Sequence, residues 1–278
     1  MKAKANCKIN IGLRVVRKRE DGYHDLDTVF YPVYGLYDEI EIERDTMHSV
    51  STNECRFIAD GIQLDCEAED NLVLKCYRMM AKKYPQIESV QITLNKHIPF
   101  GAGLGGGSSD AAHTALLINE LFGLGLTKEQ LAQDIRALGA DCPFFIYNTP
   151  CHATGIGDIL APIDFSLAGK RLMMVKPNIG VSTKEAYSGL VPSGKTLGDM
   201  AHWQSWVNDF ETTVFAKHPE IGAIKKRLLE AGAVYAAMTG SGSTVIGLFE
   251  NNAEDGSASD LRVLEEEFSS MIIFNNTL

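Results

Sequence analysis

The chain has no apolar run long enough to cross a bilayer, so a helical membrane span is excluded. It has no basic excess either. Its 26 Lys and Arg stand against 36 Asp and Glu, a formal net charge of −10, which argues against a nucleic-acid surface as its main business. The one basic cluster, Arg17-Lys18-Arg19, runs straight into Glu20 and Asp21 and reads as a solvated hairpin end. None of the six cysteines (Cys7, Cys55, Cys66, Cys76, Cys142 and Cys151) stands in a Cys-x-x-Cys pair, which argues against a zinc site. Met1 to Asn6 lead into a strand pattern rather than an apolar signal core, so the expected compartment is the cytoplasm, with reduced and mostly buried thiols. Internal repeats and low-complexity segments are lacking as well. What remains is a globular composition, 45% hydrophobic and 22% charged, over 278 residues, enough for one large domain or two ordinary ones.

Glycine is plentiful in one place. Gly101-Ala102-Gly103-Leu104-Gly105-Gly106-Gly107 holds five glycines and leads through Ser108, Ser109 and Asp110 into a run at helical spacing, Ala111, Ala115, Ile118 and Phe122. Such a loop adds nothing to a core and costs backbone entropy. It suits main-chain N–H groups that approach a phosphate chain at a helix N-terminus, where open amides and the helix dipole favour negative charge. Ser108 and Ser109 are candidate phosphate donors, magnesium ligands or helix caps. Asp110 would repel phosphate if it faced inward, so it is expected to point away or toward a metal.

Around the loop the pattern alternates. Cys7, Ile9, Ile11, Leu13 and Val15 fall on one face of a first strand, with Lys8, Asn10, Gly12 and Arg14 on the other, which predicts a half-buried strand. The turn signal Asp21-Gly22 precedes a run from Leu26 to Tyr31, and further strands are expected at Glu39–Glu43 and Val90–Leu94. Helices are expected over Asn71 to Lys83 and after Thr127, where Gln130 completes a capping box, and an apolar strand over Pro143 to Tyr147. Past residue 155 a new series begins: strand at Leu172–Lys176, helix through Ile221, Ile224 and Leu228, strands at Val234–Met238 and Thr244–Phe249, helix Leu261–Phe268 and strand Met271–Phe274. Asn251–Ser259 reads as a surface loop. The expected architecture is α+β, with two helices on one sheet in the second half.

Gly101-x-Gly103-x-x-Gly106 formally matches a dinucleotide fingerprint, but Asn95 to Pro99 intervene after the strand and another helix follows, so the context fails. A Walker A loop would end in Gly-Lys-Ser or Gly-Lys-Thr; this one ends Gly107-Ser108-Ser109, without lysine. The run Pro99-Phe100-Gly101-Ala102-Gly103-Leu104-Gly105-Gly106-Gly107-Ser108-Ser109 instead resembles the ATP-binding motif of the GHMP kinases. Ala5-Asn6-Cys7-Lys8-Ile9-Asn10-Ile11 is similar to their N-terminal motif and Thr239-Gly240-Ser241-Gly242 to their third. Order and separation agree over nearly the whole chain. The resemblance implies a two-domain α+β kinase: a ribosomal protein S5 domain 2-like part over 1–155 and a ferredoxin-like part over 156–278. Lys8-Ile9-Asn10, Asp21-Gly22-Tyr23-His24 and Leu138-Gly139-Ala140-Asp141-Cys142-Pro143-Phe144 resemble one branch. Its members phosphorylate the 2-hydroxyl of a cytidine-diphosphate derivative of methylerythritol, in the non-mevalonate isoprenoid route.

The resemblance also implies roles. Asp141, otherwise a turn or cap residue, would be the general base. Lys8, otherwise an ordinary strand lysine, would pair with it and offset charge on the transferred phosphoryl group. Asn10 would reach substrate hydroxyls. Tyr23 and His24 would stack on and hydrogen-bond the cytosine, with Tyr187 on its opposite face, where Phe is more usual. Asn71 and Lys96 would contact ATP, unless they are a helix cap and a strand-end charge. Gly240 and Gly242 would bring backbone close to substrate or to the phosphate loop. ATP is the implied donor, with Mg2+, and the other partner is a small molecule, neither nucleic acid nor membrane. Homoserine- or mevalonate-type kinases are the rival reading, and an ATP-binding regulator that has lost catalysis a further one. Monomer and homodimer are not distinguished.

Overall fold

In the computed structural model, residues 1–45, 54–64, 66–251 and 257–278 are described, and they group into two compact units. The first holds residues 1–8, 36–100 and 105–149, and the second holds 9–35, 101–104 and 150–278.

In chain order, the first elements are β1 (Lys2–Lys18), β2 (His24–Arg44), β3 (Cys55–Gly61), α1 (Leu72–Lys83), β4 (Val90–Lys96), α2 (Gly106–Leu121), α3 (Lys128–Ile135) and α4 (Cys142–Tyr147). Two corrections concern the strands. β1 is not half-buried: every residue from Ala5 to Leu13 is buried, so Lys8, Asn10 and Gly12 are as enclosed as the apolar positions between them. The two runs expected at 26–31 and 39–43 are one 21-residue strand, β2, because Pro32 to Tyr37 continue extended.

The first unit is a sheet with helices. The later half of β2 pairs antiparallel with β4, Glu39 opposite Asn95. β4 pairs in parallel with β3, Cys55 opposite Val90, and α1 supplies the crossover that a parallel pair requires. The buried stripe of α1 runs through Val73, Cys76, Tyr77 and Met80; of the stripe expected from sequence, Leu72, Cys76 and Met79, only Cys76 is fully buried. α2 is buried from Ser109 to Ala115, and its small residues let α1, α3 and α4 pack closely around it. Thr127 and Gln130 cap α3 reciprocally, as expected. The strand expected over Pro143 to Tyr147 is instead α4; Pro143 sits in its first turn, where a missing N–H costs nothing.

The second unit adds β5 (Cys151–Thr154), β6 (Ile159–Pro162), β7 (Arg171–Val175), α5 (Thr183–Tyr187), α6 (Glu211–Lys217), α7 (Pro219–Glu230), β8 (Tyr235–Met238), β9 (Val245–Phe249), α8 (Ser257–Glu267) and β10 (Ile272–Thr277). Its four-stranded sheet runs β10-β7-β9-β8, antiparallel throughout. With helices after the first and third of these strands, this is the β-α-β-β-α-β order of a ferredoxin-like fold. Ile221, Ile224 and Leu228 of α7 and Leu261 and Leu264 of α8 share one core with Met173, Val175, Met238 and Val245 of the sheet. Leu13 and Val15 of β1 complete that core. Of the loop expected at 251–259, residues 252–256 lie outside the described residues, and α8 already begins at Ser257.

Candidate active site

In the first unit, three elements meet at Gly105. It caps α2 with φ +70, a left-handed conformation, and makes no side-chain cap. Neither serine is therefore the cap: both lie inside the first turn. A Cβ on Gly105 would stand 3.0 Å from the Phe145 ring of α4 and 3.3 Å from Cε of Lys8 on β1. The helical ladder starts with the Ser109 amide on the Gly105 carbonyl, so the amides of Gly106, Gly107 and Ser108 have no carbonyl to bond within the helix. A Cβ on Gly107 would touch Leu72, which brings the start of α1 beside this turn.

Lys8 is 3% exposed, and its Nζ lies 3.5 Å from Asp141 Oδ2. Asp141 is the residue before α4 and makes no capping bond; its side chain is 32% exposed. The pair thus combines an enclosed ammonium with a carboxylate open to a ligand, beside the open amides of α2.

Ser109 is buried and donates its hydroxyl to the Asn6 carbonyl at 2.6 Å, so it is committed to the strand below. Ser108 is half-buried and lies against Gly139 and Cys142. Asn71 caps α1, its side chain accepting from the Val73 amide. Lys96 is 1% exposed and bridges Asp38 at 2.5 Å and Asp110 at 2.8 Å, with the Phe100 ring 5.2 Å away. Asp110, expected from sequence to point away from phosphate or toward a metal, points onto Lys96. Asp38 accepts further bonds from the amides of His97 and Ile98, while Asp110 Oδ1 is buried with no hydrogen-bond partner. Burial, with Asp38 as a second negative group, pushes the Asp110 carboxyl up to about 8 against the pull of Lys96.

In the second unit, Gly101 to Leu104 are strapped to the turn after β8. Thr239 Oγ1 donates to the Gly103 carbonyl at 3.2 Å, and the Ser243 amide donates to the Gly101 carbonyl at 3.2 Å. The approach needs glycine: a Cβ on Gly103 would lie 2.0 Å from the Thr239 carbonyl oxygen, and one on Gly240 2.9 Å from that of Gly103. Asn10 is 1% exposed and holds the same turn, its amide donating to Thr239 Oγ1 and its side-chain carbonyl accepting from the Gly240 amide. Its Nδ2 donates to Thr28 Oγ1. Asn208, which no motif signalled, donates to the carbonyls of Met238 and Gly240. Only fold knowledge would have found it, because its partners lie some thirty residues away at a turn.

Tyr23 is 61% exposed. His24 stacks directly on Tyr187, with centroids 4.5 Å apart and planes at 21°, and Tyr187 meets Phe210 edge-on at 4.7 Å. His24 and Tyr187, both expected at the base site, thus lie against each other. Burial, with Lys18 nearby, holds the His24 imidazole below its ordinary value. Among the described residues no cluster of three His, Cys, Asp or Glu could hold a metal, and no helix is long and apolar enough to cross a membrane.

A glycine cradle at a helix start, a Lys–Asp pair beside it and a ferredoxin-like second unit define a class of small-molecule kinase. Residues 71–149 match the GHMP kinases N terminal domain and residues 190–260 the GHMP kinases C terminal domain. The chain belongs to the GHMP kinases. It is 46% identical to a 4-diphosphocytidyl-2-C-methyl-D-erythritol kinase of Parabacteroides distasonis, over 88% of this chain and 90% of that one. It is 47% identical to the enzyme of that name from Bacteroides fragilis, again over 88% and 90%. A solved 4-(cytidine 5'-diphospho)-2C-methyl-D-erythritol kinase superposes with a TM-score of 0.80 at 29% identity, covering 100% of this chain and 98% of that one. A homoserine kinase from Cytophaga hutchinsonii shares the fold, at 17% identity and a TM-score of 0.69.

Proposed function

We propose that this chain transfers the γ-phosphoryl group of ATP to the 2-hydroxyl of 4-diphosphocytidyl-2-C-methyl-D-erythritol, giving the 2-phosphate and ADP. The observation that carries the reading is the Lys8–Asp141 pair, 3.5 Å apart beside the open amides of α2. Asp141 takes the proton of the attacking hydroxyl; the oxygen bonds to the γ-phosphorus as the bond to the β-phosphate oxygen breaks. Lys8 orients the carboxylate and offsets negative charge that develops on the transferred group. Amides of Gly106 to Ser108 hold the phosphates. Mg2+, carried in on the triphosphate, would neutralise phosphate charge; it usually takes few protein ligands, and Ser108 is the loop hydroxyl available to it, since Ser109 is engaged by Asn6. Tyr23, His24 and Tyr187 recognise the cytosine. Asn71 and Lys96 support the site from within the first unit, by the cap and the buried Lys96–Asp38 pair; Asn10 holds the turn after β8. A boundary of the two family domains near residue 155 is part of this reading; family matches that end at 149 and begin at 190 support it. ATP as donor suits a cytoplasmic setting.

The test is an ATP-consumption assay with the cytidylyl substrate, methylerythritol phosphate, homoserine and mevalonate in parallel. Turnover is expected with the first alone; equal activity on methylerythritol phosphate would remove the base-recognition claim. Asp141→Asn is expected to fold and bind ATP yet lose on the order of 10²–10⁴ in kcat, the usual worth of a general base.

A further inference from the structure

Helix α5 carries Tyr187 and is five residues long, far too short to hold a conformation by its own hydrogen bonds. Something else must set the plane of the Tyr187 ring. At its start the Ser182 hydroxyl accepts from the Glu185 amide at 3.1 Å. At its end, besides the Ser188 amide on the Glu185 carbonyl, three side-chain contacts come from α6 and the residue after it. Thr213 Oγ1 donates to the Ala186 carbonyl at 2.8 Å, Lys217 Nζ to the Glu185 carbonyl at 3.3 Å, and His218 Nε2 lies 3.0 Å from Glu185 Oε1. Phe210, at the head of α6, meets the Tyr187 ring edge-on.

These contacts converge on residues 185 and 186, immediately before the tyrosine. Two of the three are to main-chain carbonyls, and the side-chain pair between Glu185 and His218 closes the set. Both partners are partly exposed, at 33% and 24%. A pair in that setting contributes little to stability, in the range of about 0–1 kcal/mol. Its place in the chain, two residues from a ring stacked on His24, suits a different task. The His218 hydrogen bond holds the Glu185 carboxyl below the ordinary carboxylate range, which agrees with a formed rather than a nominal pair.

We infer that Glu185 and His218 are positioning residues for nucleobase recognition, fixing the last turn of α5 so that Tyr187 presents a set ring face. The inference rests on the proposal that Tyr187 stacks on the cytosine. Preorganising one aromatic ring removes an ordering cost from binding, worth roughly threefold to tenfold in affinity.

The experiment compares Tyr187→Ala, Glu185→Ala, Glu185→Gln, His218→Ala and the double alanine variant of the pair in the full chain. KM for the cytidylyl substrate, KM for ATP and kcat are measured for each, with melting curves as a check on folding. Glu185→Ala and His218→Ala are expected to raise the substrate KM about three- to tenfold, with ATP KM and kcat unchanged. The double variant should be no worse than either single one. Glu185→Gln keeps an oxygen for His218 and should restore most of the parent value. An unchanged substrate KM in both alanine variants, with a raised one in Tyr187→Ala, would overturn the positioning role and leave base stacking intact. An unchanged KM in Tyr187→Ala would overturn the stacking itself. Parallel rises in both KM values would mark the pair as general scaffolding and also overturn the inference.

Discussion

Asp110 shows how a side chain can be found by motif while its partners stay hidden. Sequence placed it correctly at the start of a helix after a glycine loop, yet its partner Lys96 is fourteen residues upstream and Asp38 another fifty-eight from that lysine. No local spacing encodes such a triad. Two carboxylates share one buried ammonium, and Asp38 takes two backbone amides besides, so the proton belongs on Asp110. Its carboxyl stands at about 8 in the folded chain against an ordinary 3.8. Between these values the unfolded chain is ionised at this position and the folded chain is not, so the folded state binds the extra proton and loses stability as pH rises through that window. Asp110→Asn removes this penalty. Melting curves from pH 5 to pH 8 are expected to show the variant gaining on the parent as pH rises; a constant difference would mean that Asp110 is ionised throughout. Lys8 and Asp141 differ: the resemblance implied that they pair, and the structure sets them 3.5 Å apart.

At the scale of elements, the strands and the later helices of residues 171–277 were legible from short apolar runs at β7, β8 and β9 and from the helical spacing of Ile221, Ile224 and Leu228 in α7, while α6 was not expected. α4 was not: an apolar run of six residues fits a buried strand and a short buried helix equally. β3 was missed because it is an edge strand with mostly exposed side chains, so it shows little alternation. The glycine loop was legible as a close-approach loop at a helix start, but its strapping to the turn after β8 was not, since Thr239 and Gly103 are 136 residues apart. That strap makes the glycines unequal. Gly101 has φ +57 and nothing within 4 Å of a built Cβ, so Gly101→Ala bears only left-handed strain, about 1–2 kcal/mol. Gly103→Ala adds a collision with the Thr239 carbonyl. Thermal melts are expected to rank the two, with Gly103→Ala clearly the lower; equal melting temperatures would mean that the strap yields at little cost.

For the whole molecule, chain order and spatial grouping differ. A reading along the sequence naturally cuts near residue 155, yet the core around β7, β8 and α7 includes Leu13 and Val15. The Gly12 amide also donates to the Tyr235 hydroxyl, deep in the same unit. Residues 156–278 expressed alone therefore lack part of their own core. They are expected to unfold in urea without a sharp transition, and a cooperative one with the slope of a complete domain would refute this. The Gly12–Tyr235 bond has another consequence, in the timing of synthesis. Its two ends are 223 residues apart, so at ribosomal rates the first strand waits about 10–45 s for its partner to be made. Throughout that interval Leu13 and Val15 have no core to enter. The nascent chain thus carries its N-terminal apolar strand without that partner until the last third has been made.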